Sequence, residues 1–227
     1  MIKVTGYGHS SFAAEFKGVT LLFDPFISGN ELAKNIDIQK IRADYILVSH
    51  AHDDHLGDTV QIARRTGATV ITNFEIATWL EGQGLKKTHA MNHGGGYNFD
   101  FGRVKLVNAI HSSSFTDGKY GGNPAGFVVE SSEGNFYHSG DTALTLDMKL
   151  IGESTRLAFA GLCIGDNFTM GVDDAIRASD FIKCNEIIGM HYDTFPPIKS
   201  DTAAAVQKFK VAGKKLHLLK PGDTHTF

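Results

Sequence analysis

The chain has 227 residues, with 22 Lys and Arg against 25 Asp and Glu for a formal net charge of −3; 42% of residues are hydrophobic and 21% charged. That is the balance of a soluble globular chain, long enough to bury roughly 70–75% of its unfolded surface without disulfide staples. It offers no basic footprint for nucleic acid and no apolar run of membrane-spanning length. No signal-peptide pattern follows Met1, so a cytoplasmic location with neither nucleic-acid nor membrane partner is expected.

In chain order, Ile2 to Asp24 reads as strands. Phe12–Phe16 and Val19–Phe23 form a hairpin about Lys17-Gly18, and Asp24-Pro25 ends it because proline cannot donate to a ladder. Residues 26–43 are a polar excursion without a readable element. Tyr45–Ser49 is a short buried strand, Asp58–Arg65 an amphipathic helix capped by Gly67, and Ala68–Thr72 the next strand. Asn73 is the N-cap of a helix over Glu75–Glu81. The β pattern then returns at Val104–Ile110, Ala125–Glu130 and Asn135–His138. Strands at Leu157–Ile164, Glu186–His191 and Leu216–Leu219 alternate with helices at Asp173–Lys183 and Asp201–Val211. Each half thus has strands followed by βα alternation. The expectation is one α/β domain over 1–227, pseudo-symmetric, with helices on its outer faces.

The densest chemistry lies directly after Tyr45-Ile46-Leu47-Val48, in Ser49-His50-Ala51-His52-Asp53-Asp54-His55. His50 and His52, two apart in extended chain, leave on one face, while Asp54 and His55 follow where the chain turns towards a helix. This supply of nitrogen and oxygen donors suits a pair of metal ions better than one. Three more candidates stand at the ends of apolar strands: His111 after Val107–Ile110, Asp141 after Phe136–Gly140, and His191 after Ile187–Met190. Strand ends on one sheet edge converge on a common crevice, so residues distant in sequence can meet there. Cys163 and Cys184 sit in apolar surroundings and read as buried free thiols.

Together, His50-Ala51-His52-Asp53-Asp54-His55, His111, Asp141 and His191 resemble the ligand series of the metallo-β-lactamase superfamily, over nearly the whole chain. Gly8-His9-Ser10-Ser11-Phe12, Asp24-Pro25, Gly161–Gly165 and Phe168-Thr169-Met170 resemble a narrower branch of it. That branch holds small single-domain hydrolases, among them relatives of L-ascorbate-6-phosphate lactonase. The resemblance implies a four-layer αββα sandwich with two metals at one edge. His50, His52 and His111 would hold one ion, Asp54, His55 and His191 the second, and Asp141 would bridge them. Such donors suit zinc, with manganese, iron or nickel as alternatives. His52 stands where flavo-diiron members usually carry Glu, which points to hydrolysis rather than oxygen chemistry.

The resulting expectation is a metal-dependent hydrolase in which hydroxide bridging the ions attacks a small ester, lactone or phosphodiester, with a phosphorylated small molecule among the candidates. Asp54 would both coordinate and orient the nucleophile or protonate the leaving group, and the motif match suggests His9 as a hydrogen-bond donor to substrate. Asp24 is either a carboxylate that orients a histidine ligand or merely a strand-ending turn. His138 reads as structural. His93, in His93-Gly94-Gly95-Gly96, reads as part of a loop bordering the pocket and a candidate substrate contact; no Gly-x-Ser-x-Gly elbow accompanies it. A nuclease resembling tRNA 3′-processing enzymes is the first alternative, opposed by the charge and by the lack of room for a substrate-clamping arm. A non-catalytic metal-binding protein is the second. A homo-oligomer is compatible with the sequence.

Overall fold

Alternation along the apolar strands decides the layering, because successive strand residues face opposite sides of a sheet. The computed structural model describes all 227 residues. In the first sheet β1 (Lys3–Gly8), β2 (Ser11–Phe16) and β3 (Val19–Phe23) run antiparallel. There β4 (Tyr45–Leu47), β5 (Thr69–Asn73) and β6 (Thr88–Met91) continue in parallel. The second sheet repeats the plan. Its β7 (Gly96–Phe99), β8 (Gly102–Asn108), β9 (Ala125–Glu130) and β10 (Phe136–His138) are antiparallel, whereas β11 (Phe159–Cys163), β12 (Glu186–Met190) and β13 (Lys215–His217) extend it in parallel. A last strand, β14 (Thr224–Thr226), crosses back to pair with β1.

Leu21 and Phe23 of β3 face the second sheet, whereas Leu22 between them faces the helices. The inter-sheet core joins Phe12, Phe23 and Leu47 to Phe127, Phe136 and Phe159. Each such ring taken fully from water contributes about 2–3 kcal/mol. Outside the first sheet, α1 (Asp53–Leu56) is a single turn, and α2 (Thr59–Thr66) and α3 (Phe74–Gly82) bury Ile62, Ile76 and Leu80 against Leu22, Ile46 and Val70. Outside the second, α4 (Met148–Ser154), α5 (Val172–Phe181) and α6 (Thr202–Val211) cover Tyr137, Leu162 and Ile187 with Ile151, Ala178 and Phe209. Three cores therefore separate four layers in the order αββα, with the two halves related as expected.

The differences from expectation are local. Residues 26–43 contain two short 3₁₀ turns, Glu31–Ala33 and Ile38–Lys40, each started by a side-chain cap from Asn30 or Asp37. Helix α2 starts one residue later than read, at Thr59, and the Asp58 carboxylate accepts the backbone N–H groups of Ile27 and Ser28 at 2.9 and 2.8 Å. Asn73 does cap α3, accepting from Ile76 N–H at 2.9 Å. Strands β6, β7 and β14 and helix α4 had no sequence signal, since each is short and three of the four residues of β7 are exposed. Both cysteines are buried free thiols. No helix is long and apolar enough to cross a membrane.

Candidate metal centre

The strands β3, β4, β8, β10 and β12 deliver Asp24, His50 to His55, His111, Asp141 and His191 respectively. Each of these residues follows the C-terminal end of its strand. Within each sheet the contributing strands point the same way, so the loops collect at one edge of the sandwich. The β1–β2 turn adds His9, whose carbonyl accepts the backbone N–H of His191 at 2.9 Å. His9, Asp24 and His191 all have positive φ (53°, 39° and 56°). Left-handed backbone costs a non-glycine residue roughly 1–2 kcal/mol, and such strain concentrates at functional sites.

Asp141 stands at the centre. Its Oδ2 lies 2.9 Å from His191 Nε2, 3.2 Å from His55 Nε2, 3.7 Å from His111 Nε2 and 4.0 Å from His50 Nε2. The donor atoms form three overlapping groups, each within 4.8 Å: His50, His52 and His111; His50, His55 and Asp141; and His9, Asp54, His55 and His191. All seven residues expected from the sequence are therefore brought together, and Asp53 stays exposed, outside every group.

Hydrogen bonds behind the cluster set which nitrogens face inwards. His55 donates Nδ1–H to Asp24 Oδ2 at 2.8 Å. Ser49 Oγ donates to the same carboxylate at 2.7 Å, and so accepts the Nδ1–H of His50 at 3.0 Å. With each Nδ1–H engaged in this way, both imidazoles turn Nε2 to the centre, the nitrogen through which each would hold a cation. His55 Nε2 and Asp141 Oδ1 are buried there without a hydrogen-bond partner. Burial of orphan polar atoms is costly, and divalent cations among them relieve it. The residues present fit such ions.

The protonation tendencies agree. Burial, followed by the neighbouring His55, pushes His50 well below the ordinary histidine range, keeping its lone pair free. Burial also opposes charge on His55, but Asp141 and Asp24 outweigh it and raise its pKa well above the usual value, marking a place that favours positive charge. Burial would raise Asp54, yet the hydrogen bond from His9 and the charge of His55 hold it well below the usual carboxylate range.

His9 enters the site differently from expectation. Its side chain is buried, Nε2 lies 3.1 Å from Asp54 Oδ2, and Nδ1 lies 2.8 Å from Thr194 Oγ1. With both nitrogens engaged by protein, it supports Asp54 and presents no free donor to the cleft. Asp24 is a built-in carboxylate support, as one reading of the Asp-Pro turn had it. His138 is structural: Nε2–H donates to Ser10 O and Nδ1 accepts Gly140 N–H, both at 3.0 Å. His93 bonds the carbonyl of Pro124 at 2.8 Å and lines another cavity, away from the cluster. Ser49 and Thr194 escaped sequence reasoning, since nothing distinguishes a serine or threonine that supports a histidine from any other.

These shifts predict a pH dependence for the metal-free protein. Burial lowers His9 from 6.5 in the unfolded chain to about 4, and lowers His138 in the same direction. As pH falls through 6.5 the unfolded chain binds protons that the fold refuses, so stability present above that pH is lost progressively towards 4. The raised His55 acts oppositely, its contribution being complete below pH 6.5 and lost as pH rises from there through its elevated pKa, and the lowered His9 and His138 together with the lowered His50 outweigh it. Thermal melts in chelator at pH 7.5, 6.0 and 4.5 are expected to show Tm falling at each step; a Tm flat down to pH 4.5 contradicts these assignments.

The cluster opens on a cavity of about 280 Å³, lined by His52, Asp54, His111, Asp141 and His191 with Phe168 and Phe195 at its sides. A larger cavity of about 520 Å³ lies behind the β1–β2 turn and contains no residue of the cluster except His9. Residues 3–191 match the β-lactamase superfamily domain. The UPF0173 metal-dependent hydrolase of Christiangramia forsetii is 54% identical over 224 residues, 98% of this chain and 99% of its own length. The chain belongs to the metallo-β-lactamase superfamily. Within it, the UPF0173 metal-dependent hydrolase of Flavobacterium johnsoniae is 53% identical over 98% of this chain and 99% of its own. Igni18, a metallo hydrolase from the archaeon Ignicoccus hospitalis, superposes with a TM-score of 0.91 at 35% identity, covering 100% of this chain and 98% of that one. This superfamily member is accordingly a metal-dependent hydrolase.

Proposed function

We propose that the chain hydrolyses a small ester, lactone or phosphodiester with two divalent ions, zinc being the natural pair. The observation that supports this most directly is the position of Asp141 Oδ2, 2.9–4.0 Å from four imidazole nitrogens contributed by three separate strand-end segments. His50 Nε2, His52 Nδ1 and His111 would hold one ion. Asp54, His55 and His191 would hold the other, with Asp141 between them. Two bound ions supply a water of lowered pKa, near 7 rather than about 16, and polarise the scissile group.

The chain's own residues do the rest. Asp24 and Ser49 fix the His55 and His50 tautomers, and the strained turn at His9 keeps Nε2–H on Asp54 Oδ2. Asp54 is thereby held ionised at the cavity wall, placed to take a proton from the attacking water and return it to the leaving oxygen. His52, half-buried at the mouth with Ser112 Oγ 3.3 Å from Nε2, borders the approach of substrate.

The test joins metal analysis to a hydrolysis screen. Purified protein is expected to carry close to two equivalents of divalent metal, to cleave members of a neutral ester and lactone panel or a plain phosphodiester, and to leave RNA and DNA intact. Chelation should abolish turnover and added zinc restore it. Protein that binds no metal, or metal-loaded protein inert on the whole panel, overturns the proposal; cleavage of RNA alone moves it to a nuclease.

A further inference from the structure

The walls of the reaction cavity have a composition that the metal centre does not explain. Phe168 and Phe195 flank it, and no lysine or arginine lines it. Phe168 is 54% exposed and makes no aromatic stacking contact of its own. It is nevertheless held in place. Asp166 and Asn167 before it have positive φ (62° and 54°), Gly165 and Gly171 bridge the base of the loop, and Met170 N–H donates to Thr142 O at 3.0 Å. Phe195 is set from the opposite loop, edge-on to His9 at 5.5 Å and against Phe26 at 6.2 Å, with Pro196 and Pro197 next in the chain. Held on a strained, tied-down loop, Phe168 leaves more than half of its surface open in the free protein. A large apolar side chain presented this way beside a polar centre gains its contact area from a ligand.

We infer that the substrate is electrically neutral outside its scissile group and carries an aromatic or aliphatic group that packs between Phe168 and Phe195. This rests on the hydrolase reading above and narrows it. With the reacting group occupied at the metal centre, a phosphate elsewhere on the substrate would need cationic partners of its own, since phosphate recognition relies on charge-assisted bonds from Arg or Lys. Beyond the imidazoles assigned to the ions, the cavity offers it one serine hydroxyl, two phenyl rings and carboxylates, and no cationic side chain. A sugar phosphate is therefore disfavoured, and a lactone or ester with an apolar acyl or alkyl substituent is favoured. Phe168 is the specificity-determining residue, because the open part of its ring lines the cavity where a substituent would pack.

Two readouts on metal-loaded protein test this. In the first, kcat/KM is measured for matched acetyl, hexanoyl and benzoyl esters of one alcohol, and for a neutral lactone beside its phosphorylated counterpart. The hexanoyl and benzoyl esters and the neutral lactone are expected to be preferred. Phe168→Ala should lower the benzoyl-to-acetyl ratio about tenfold, and Phe168→Leu should restore most of it. In the second, affinities for benzohydroxamate and acetohydroxamate are compared by calorimetry, and Phe168→Ala should shrink their ratio by a similar factor. Equal effects of the substitution on both members of each pair, or preference for the phosphorylated lactone, overturn the inference. Hydroxamate selectivity that depends on Phe168 without turnover of any ester or lactone upholds the apolar clamp while sinking the hydrolase reading. Protein that holds no metal sinks both.

Discussion

Asp141→Asn is expected to lower kcat by about 10³-fold or more and to reduce bound metal below two equivalents, with the fold retained. The reason is geometric. Asp141 Oδ2 is the one carboxylate oxygen within 4.0 Å of His50, His55, His111 and His191 at once, and its residue is 1% exposed. An amide keeps the shape but removes the charge that offsets two cations and replaces an acceptor oxygen with a donor or a weaker acceptor. Ion-based stabilisation of a developing charge is worth several kcal/mol, and each 1.36 kcal/mol is tenfold in rate. Metal analysis by mass spectrometry, turnover of whichever panel member the wild-type protein cleaves, and a thermal melt to show retained folding check the prediction together. A variant with full metal content and turnover within tenfold of wild type would remove Asp141 from the bridging role.

Much of this centre was legible before any coordinates, for a physical reason. Metal donors come from a few residue types, here histidine and carboxylate, they cluster locally when one loop serves two ions, and strand ends announce themselves by apolar runs. His50 to His55 satisfy all three conditions, and His111, Asp141 and His191 the first and the last. Helices outside strands were legible too, since Leu21-Leu22-Phe23 and Tyr45-Ile46-Leu47 are buried-strand patterns, while the four-layer order came from the family resemblance. Other features were closed to such reading. The β14–β1 pairing depends on a long-range crossing that a three-residue strand cannot advertise. The change in His9 from substrate donor to support for Asp54 depends on Thr194, 185 residues away, occupying the other ring nitrogen. The aromatic walls were closed to it as well, because nothing local separates Phe115, which packs on Trp79 at 5.0 Å inside the helix layer, from Phe168, which is left at the cavity.

The support behind the ligands carries the second large effect. Asp24 is fully buried and accepts three hydrogen bonds, from Ser49 N–H and Ser49 Oγ at 2.7 Å and from His55 Nδ1 at 2.8 Å. Asp24→Ala strands all three donors and is expected to cost roughly 3–5 kcal/mol of stability, a fall in Tm on the order of 10 °C for a chain of this size. Asp24→Asn separates structure from chemistry. Its amide oxygen can still accept from Ser49, so the loss of stability should be smaller, but a side-chain NH₂ facing His55 Nδ1 favours the opposite tautomer. His55 then turns Nε2–H, not a lone pair, towards Asp141 and the ion position. Metal affinity should fall about 10–100-fold although no ligand has changed. Melts of the metal-free proteins and competition titrations with a chromogenic chelator read the two effects separately. If Asp24→Asn kept wild-type affinity, the tautomer of His55 would not be under Asp24's control, and its 2.8 Å hydrogen bond would be a structural contact only.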